Sequence, residues 1–399
     1  MKISPIHPFP ARMAPEIAIA QLGRLNPSST VLDPMMGSGT VLRHAVEAGH
    51  RAIGFDMDPL AVLMSRVWST SVLDSDIEAV AKALRDAMRF IKGDKVSLPW
   101  IDKDNETNQF VEFWFGELQR HDLRRLAFGI NELSLHANAK QRQVIDVLRI
   151  AMSRIIITKS SGASLAADVS HSRPHKVLVS SDFDVMTAFE QSLRQVRKRL
   201  ESTPKSTKLR TSLGDARLLS GVQKETADMV LTSPPYLNAI DYMRGHKLSL
   251  VWLGHSISEL RKIRSSSIGA ERKADRKVTL RARKVQEAMV NSARLEPKHL
   301  AMVDRYSLDL VRMMAQTARV LKPEGKAIFV VGNSCLKEAF ITNSAGVTEA
   351  AIAAGLTFVN ETVRDLPNNS RYLPMPKQTD SALGKRMRTE SILTFTKAA

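Results

Sequence analysis

The chain has 399 residues, 43% hydrophobic and 5% aromatic, enough for one large domain or a domain carrying an insert, and not a disordered polymer or a disulfide-stapled miniprotein. Lysine and arginine number 58 against 41 acids, a net charge of +17 with a pI near 10.0, so nucleic acid is the first partner to consider. The single cysteine, Cys335, excludes an internal disulfide or a cysteine-built zinc site, and no stretch approaches the roughly 20 apolar residues of a membrane span; these features and the N-terminal MKISPIHPFPARMAPE read as a soluble, cytoplasmic protein with no membrane partner.

Ser29 to Asp33 reads as a short strand, followed by a glycine-bearing turn and a helix from Thr40 through Ala48 that ends at Gly49. Arg51 to Asp56 reads as a second strand, and a helix starts near Asp58-Pro59, where proline suits the first turn. Together they form a βαβ unit, the building block of a parallel α/β sheet. From about Val62 to Leu200 the pattern is helical, near 74 to 92, 106 to 136, 139 to 157 and 182 to 200, with a serine-, histidine- and base-rich loop between. Strands resume at Lys208 to Leu213 and Ala227 to Thr232. A helix over Tyr306 to Leu321 stops at Lys322-Pro323-Glu324-Gly325, Lys326 to Gly332 reads as a buried parallel strand, and two more strands cover Thr357 to Arg364 and Ser391 to Thr396.

The expected organisation is an α/β catalytic domain in pieces. Residues 1–59 carry cofactor motifs, 60–205 a helical insert suited to target recognition, 206–255 the catalytic motif, 256–300 a basic segment, and 301–399 the rest of the catalytic domain. Between Arg261 and Lys298 there are 12 basic and 4 acidic residues, and between Ala139 and Glu225 there are 16 and 8, so the positive charge lies largely between core elements. Taken alone, the first stretch is a solvated helix or a mobile loop. Arg173, Arg244, Lys247, Arg272, Lys273 and Arg281 are the candidate phosphate contacts; Arg244 and Lys247 serve equally well as a solvated helix face. The histidines have no metal-ligand spacing: His171 and His175 are separated by Pro174.

Two motifs carry chemistry. Asp33-Pro34-Met35-Met36-Gly37-Ser38-Gly39-Thr40 is a glycine turn at the carboxyl end of the first strand, where open α/β sheets bind ligands. Leu42 stands where a dinucleotide fingerprint wants its third glycine, and an acid opening the turn suits a cationic ligand better than a pyrophosphate, so a nicotinamide dehydrogenase fits poorly. Asp56, with Met57 beside it, closes the second strand and is placed to take two ribose hydroxyls; the plainer reading makes Asp33 and Asp56 loop and cap residues. The second motif, Thr232-Ser233-Pro234-Pro235-Tyr236, follows an apolar strand. Two prolines without N–H groups fix a stiff loop, and its carbonyl and hydroxyl oxygens can accept hydrogens from an exocyclic amino group while Tyr236 stacks on the base; alone, it would be a structural turn.

With both motifs in place the sequence resembles the amino-group DNA methyltransferases, S-adenosylmethionine-dependent enzymes that methylate cytosine N4 or adenine N6. DPMMGSGT looks like their cofactor motif and TSPPY like their catalytic motif in its serine-first form, most familiar in the cytosine-N4 branch. The segment from His7 to Glu16, with Phe9 and Arg12, looks like the part that lines the cofactor's methionine end; Asp56 matches the ribose acid, and Asp215 with Ala216 the adenine neighbours. The likeness continues through Arg319 to Gly325, Val331 to Ser334 and Arg371 to Pro374, about half of the chain, and departs at Met35, where the family usually has phenylalanine.

The resemblance implies a Rossmann-like class I methyltransferase sheet, S-adenosylmethionine as cofactor, DNA as substrate, no metal, and a restriction or defence-system partner. It implies catalysis by Ser233, Pro234, Pro235 and Tyr236 on a flipped base, and cofactor contacts from Phe9, Arg12, Asp33, Pro34, Met35, Gly37, Gly39, Thr40, Asp56, Met57, Asp215 and Ala216. Cytosine N4 is favoured because Ser233 replaces the acid common in adenine enzymes; the alternatives are adenine N6, a base of structured RNA, or a nucleic-acid-binding protein without turnover.

Overall fold

A computed structural model describes residues 4–9, 12–92, 95–156, 158, 162–167, 174–204, 208–237, 241–270, 278–290, 295–336, 339–366 and 389–399. The chain divides into two compact units, one made of Met1–Pro10, Asp58–Thr207 and Asp241–Ile263, the other of Ala11–Met57, Lys208–Ile240 and Arg264–Ala399. The first takes in an N-terminal segment and 241–263 in addition to the helical stretch.

The second unit is built on one seven-stranded sheet. Its strands are β1 (Thr30–Asp33), β2 (Arg51–Asp56), β3 (Leu209–Leu213), β4 (Ala227–Thr232), β5 (Leu321–Gly332), β6 (Leu356–Asp365) and β7 (Thr389–Lys397). Their order is β6-β7-β5-β4-β1-β2-β3. The five strands from β5 to β3 run parallel, while β7 is antiparallel to both β5 and β6. This mixed sheet is the α/β architecture of the Rossmann-like class I methyltransferases. The order matters for function because β1 pairs with β2 on one side and β4 on the other, making a topological switch point; open α/β sheets bind ligands outside the carboxyl ends of such strands.

The central strands read as apolar runs because both faces are covered: Val31, Leu32, Val230, Leu231, Ile328 and Phe329 are all fully buried. Gly54, in the middle of β2, is there for space. A Cβ at this position would overlap Leu42 Cδ1 and Met36 Sδ, which belong to the turn and helix packed on the strand. Gly54→Ala is therefore expected to destabilise the protein by about 1–3 kcal/mol through overpacking, read as a lower midpoint in urea unfolding with an unchanged slope.

Three local expectations are corrected by packing in these units. The helix expected over 106 to 136 is two helices, Asn105–Trp114 and Glu117–Leu135, because Phe115 adopts extended backbone and buries its ring edge-on against Trp252. The helix expected from Tyr306 starts at Pro297, a residue suited to the first turn, and its added turns bury Met302 and Val303. Lys322 to Gly325 do not end a helix in a free turn: they are the bulged start of β5, where Glu324 has φ 61 and the register with β4 shifts between Ala227 and Met229.

The basic stretch 256–300 is also more ordered than expected where it is described. It forms the helices Ile257–Ser266 and Leu280–Val290, and the second buries Ala282 and packs Val285 and Met289 into the core shared with the sheet while Arg281 stays exposed. The other unit is helical, with Pro59–Ser69, Asp74–Met88, Glu117–Leu135, Ala139–Ile156, Val185–Leu200 and Met243–Leu250 contributing to one apolar core. Among the described residues no helix is long and apolar enough to cross a membrane.

Candidate active site

The glycine turn leaves β1 at Asp33, which is 3% exposed. Its Oδ1 accepts hydrogen bonds from the Met35 N–H at 3.1 Å and from the Thr232 hydroxyl at 2.6 Å, so the acid ties the turn to the end of β4. Burial pushes the carboxyl up to about 7, the nearby Asp56 adds to the rise, and the two hydrogen bonds oppose it. Gly37 and Gly39 have φ values of 48° and 89°, in the left-handed region that favours glycine, and Gly39 is the N-cap of the helix Thr40–Glu47. The Gly37 N–H donates to Asp56 Oδ2 at 2.9 Å, and the Met36 N–H donates to the Phe55 carbonyl at 2.9 Å, joining the turn to the end of β2. Asp33 and Asp56 thus both bond N–H groups of the same glycine turn.

Two hydroxyls in this turn, Ser38 Oγ and Thr40 Oγ1, are buried and have no hydrogen-bond partner among the described residues. Buried polar groups are normally paired, and these two stand at the N-terminus of the helix Thr40–Glu47. Pro34 is buried, and Met35 packs half-buried against the sheet's core.

Beyond β3, Asp215 is held by Arg217. Both its oxygens receive hydrogen bonds from the guanidinium, at 2.7 to 3.0 Å, and Arg217 continues to Asp309 at 2.7 Å and to the Ser266 carbonyl at 2.6 Å. Burial pushes the Arg217 guanidinium down, but these acid partners outweigh it and hold the group above its usual range. The Asp215 carboxylate is thus held by Arg217, and its neighbour Ala216 is buried.

The catalytic-type loop is anchored at nearly every residue. Thr232 is fully buried and bonded to Asp33; the Ser233 hydroxyl donates to the Val330 carbonyl on β5 at 2.9 Å. Pro234 is buried, and the Pro235 carbonyl accepts from the Tyr306 hydroxyl at 3.0 Å. The Leu237 N–H donates to Asn343 Oδ1 at 3.4 Å, and the Asn343 amide donates in turn to the Gly332 carbonyl at 3.1 Å and to Ser334 Oγ at 3.0 Å. The Tyr236 ring lies on Gly332, where a Cβ would come within 3.1 Å of Cζ. One unit thus brings Asp33 to Thr40, Asp56, Met57, Asp215, Ala216 and Ser233 to Tyr236 into its own fold, with Arg12 on the segment leading into its first helix.

Phe9, Arg244 and Lys247 lie in the helical unit. There Phe9 stacks on Tyr242 with ring centroids 5.1 Å apart, and both rings neighbour His246, whose Nδ1 bonds Asp58 Oδ2. Burial alone would raise Asp58, but His246 and the N–H groups of the following helix hold it below the usual carboxylate range. Arg244 pairs with Asp241 at 3.0 Å just before the helix Met243–Leu250, and Lys247 sits over the Phe110 ring at 5.0 Å. Arg173, Arg272, Lys273 and the Arg371 to Pro374 segment lie outside the described residues. Among the described residues no group of three or more acids, histidines or cysteines is placed to hold a metal. Sequence reasoning missed Tyr306, Asn343 and Val330, none of which stands in a recognisable motif with the loop.

Fold and site together define a class I methyltransferase sheet with a glycine turn and a Ser-Pro-Pro-Tyr loop on adjacent strands. The chain is 24% identical over 423 residues to the type II methyltransferase M.MvaI of Kocuria varians, spanning 97% of this chain and 89% of that protein. It is 22% identical over 270 residues to the type II methyltransferase M.BsoBI of Geobacillus stearothermophilus, covering 61% of this chain and about half, 51%, of that protein. Among solved structures it is similar to a TehB-like SAM-dependent methyltransferase from Corynebacterium glutamicum, at 9% identity and a TM-score of 0.30 over 95% of this chain and 87% of that one; the fold assignment rests on the strand order. No family model matches the chain. The protein is a distant homologue of the type II DNA methyltransferases with a SAM-dependent methyltransferase fold.

Proposed function

We propose that the protein is a site-specific DNA methyltransferase that uses S-adenosylmethionine to methylate the exocyclic amino group of a flipped base, cytosine N4 in preference to adenine N6. The observation that carries this reading is the state of Ser233. A hydroxyl has one hydrogen and two lone pairs, and the Ser233 hydrogen is committed to the Val330 carbonyl, so its oxygen meets a substrate as an acceptor. Pro234 supplies a carbonyl and no N–H.

The residues around the glycine turn fit the cofactor. The acidic, buried Asp33 suits a cation, the orphan hydroxyls of Ser38 and Thr40 suit a polar group at a helix N-terminus, and Asp56 closes β2 where ribose acids sit. Gly37, Gly39, Pro34 and Met35 shape the turn, Arg12 belongs to the methionine end, Asp215 and Ala216 to the adenine, and Met57 follows the ribose acid. When bound, S-adenosylmethionine supplies a methyl group already activated on a sulfonium.

The protein's task is then positioning. An exocyclic amine is a weak nucleophile because its lone pair is delocalised into the ring. Ser233 Oγ and the Pro234 carbonyl accept its two hydrogens and favour a tetrahedral nitrogen, and Tyr236 holds the base by stacking, worth about 1–3 kcal/mol in comparable base–aromatic contacts. The base leaves its duplex to reach them. With serine in place of an acid, the proton of the methylated amine passes to water. Arg281, exposed on its helix, and the net charge of +17 provide attraction for the phosphate backbone, with Arg173, Arg272 and Lys273 as further candidates. Arg244 and Lys247 are weaker candidates because Asp241 and Phe110 already engage them. The helical insert is the proposed target reader, and protection of a site from a partner endonuclease is the role the type II relatives suggest.

The test is incubation with labelled S-adenosylmethionine and unmodified DNA or bulk RNA, followed by nucleoside mass spectrometry. N4-methylcytosine in DNA is the expected product. N6-methyladenine would overturn the cytosine preference, label confined to RNA would overturn DNA as substrate, and no label with either would overturn the enzyme reading.

A further inference from the structure

The loop 233–237 has an anchoring problem set by its sequence. Pro234 and Pro235 have no N–H, so backbone donors cannot pin these two positions, and their placement depends on what bonds their carbonyls and the flanking residues. Tyr306 supplies one such bond. It lies on the long helix Pro297–Val320, is fully buried, and donates its hydroxyl to the Pro235 carbonyl at 3.0 Å. Burial, with Tyr236 and Asp309 close by, raises the phenol well above its usual range, so the hydroxyl keeps its proton and remains a donor. The helix is itself held: Arg305, the preceding residue, donates to the Ser265 and Ser267 carbonyls, and Asp309, one turn on, takes Arg217, which holds Asp215. On the other side of the loop Asn343 accepts the Leu237 N–H and donates to the Gly332 carbonyl beneath Tyr236.

We infer that Tyr306 is a positioning residue for the methyl-transfer loop: by holding the Pro235 carbonyl against the helix it fixes Ser233 Oγ and the Pro234 carbonyl as the acceptor pair, with Asn343 as the second clamp. The catalytic part of this inference rests on the function proposed above, whereas the clamping of the loop does not. The hydroxyl acts through the loop and not on the substrate, so its removal should affect the chemical step and leave cofactor binding alone.

The test is Tyr306→Phe, which deletes one oxygen and keeps the ring in the core. Two readouts are compared with wild type in the full chain: hydrogen–deuterium exchange of the peptide containing Ser233, Tyr236 and Leu237, and the steady-state constants for methyl transfer. The expected result is faster exchange in that peptide, with kcat lowered on the order of tenfold and KM for S-adenosylmethionine unchanged within about twofold. A circular-dichroism melt checks the fold; if this variant melts early, Asn343→Asp, which keeps the acceptor for Leu237 and loses the donor to Gly332, gives the second reading of the clamp. Unchanged exchange in the loop, or unchanged kcat in an active enzyme, overturns the inference. If wild type transfers no methyl group at all, the proposed function fails, and the exchange result alone decides whether Tyr306 holds the loop.

Discussion

Ser233→Ala is expected to lower kcat for methyl transfer by about 10²–10³-fold, the range found when a single preorganised hydrogen-bonding group is removed from a reaction centre. Cofactor affinity and DNA binding should change little. Among the described residues the hydroxyl makes one side-chain hydrogen bond, to the Val330 carbonyl, so alanine removes that bond and leaves the loop in place through Tyr306 and Asn343. What disappears is the oxygen that accepts an amino hydrogen. The KM-to-kcat split checks this: a loss in kcat with S-adenosylmethionine binding retained in calorimetry matches an interaction made in the transition state, whereas a matching rise in KM would assign Ser233 to ground-state binding. Ser233→Asp separates the chemistry further, since an ionised acid accepts hydrogens too but brings a charge where the Val330 carbonyl now sits; retention of activity in that variant would make the acceptor role general and remove the argument for cytosine.

Asp33→Asn is expected to weaken S-adenosylmethionine binding by about 10- to 100-fold and to abolish its pH dependence, because the amide keeps an oxygen for Met35 and Thr232 while losing the charge. The sign follows from the buried carboxyl, pushed from its usual 3.8 up to about 7. A cationic ligand favours the ionised form, so wild-type affinity should rise as pH climbs through about 7, and binding below that pH should release a proton, measurable by calorimetry in buffers of different ionisation enthalpy. Stability runs the other way. Between 3.8 and about 7 the unfolded chain has given up a proton that the folded chain holds, so the contribution of this residue is fully present below 3.8 and is lost as pH rises through about 7. Asp33→Asn should therefore be more stable than wild type at pH 8 without cofactor and less able to bind it, a trade of stability for function at one position. Equal pH dependence of binding in the two proteins would remove Asp33 as the charge partner.

The sequence by itself determined the local pieces of this protein. Strand β2 and strand β4 run over the residues their apolar runs mark, Arg51–Asp56 and Ala227–Thr232, because a buried parallel strand is written in contiguous residues. The glycine turn was legible for the same reason: Gly37 and Gly39 must take left-handed backbone, and both they and Asp33 stand within one short segment. The apolar periodicity also marked the long helical stretch between β2 and β3.

The tertiary structure decided what depends on residues far apart. The break at Phe115 comes from a partner, Trp252, in another helix. The basic helix Leu280–Val290 is fixed by Val285 and Met289 reaching a core that its charge-rich sequence hides. The motif around Asp215 does not show that Arg217 joins it to Asp309, 94 residues further along the chain, a link that only the packed long helix makes. The partner of Pro235 stands 71 residues away in a helix whose pattern marks only its burial. Local propensity and spacing act over a few residues of chain, whereas a hydrogen bond across the sheet's end forms only once β4, β5 and the helix Pro297–Val320 are packed, so the turn and the loop were readable in advance and the groups that hold them were not.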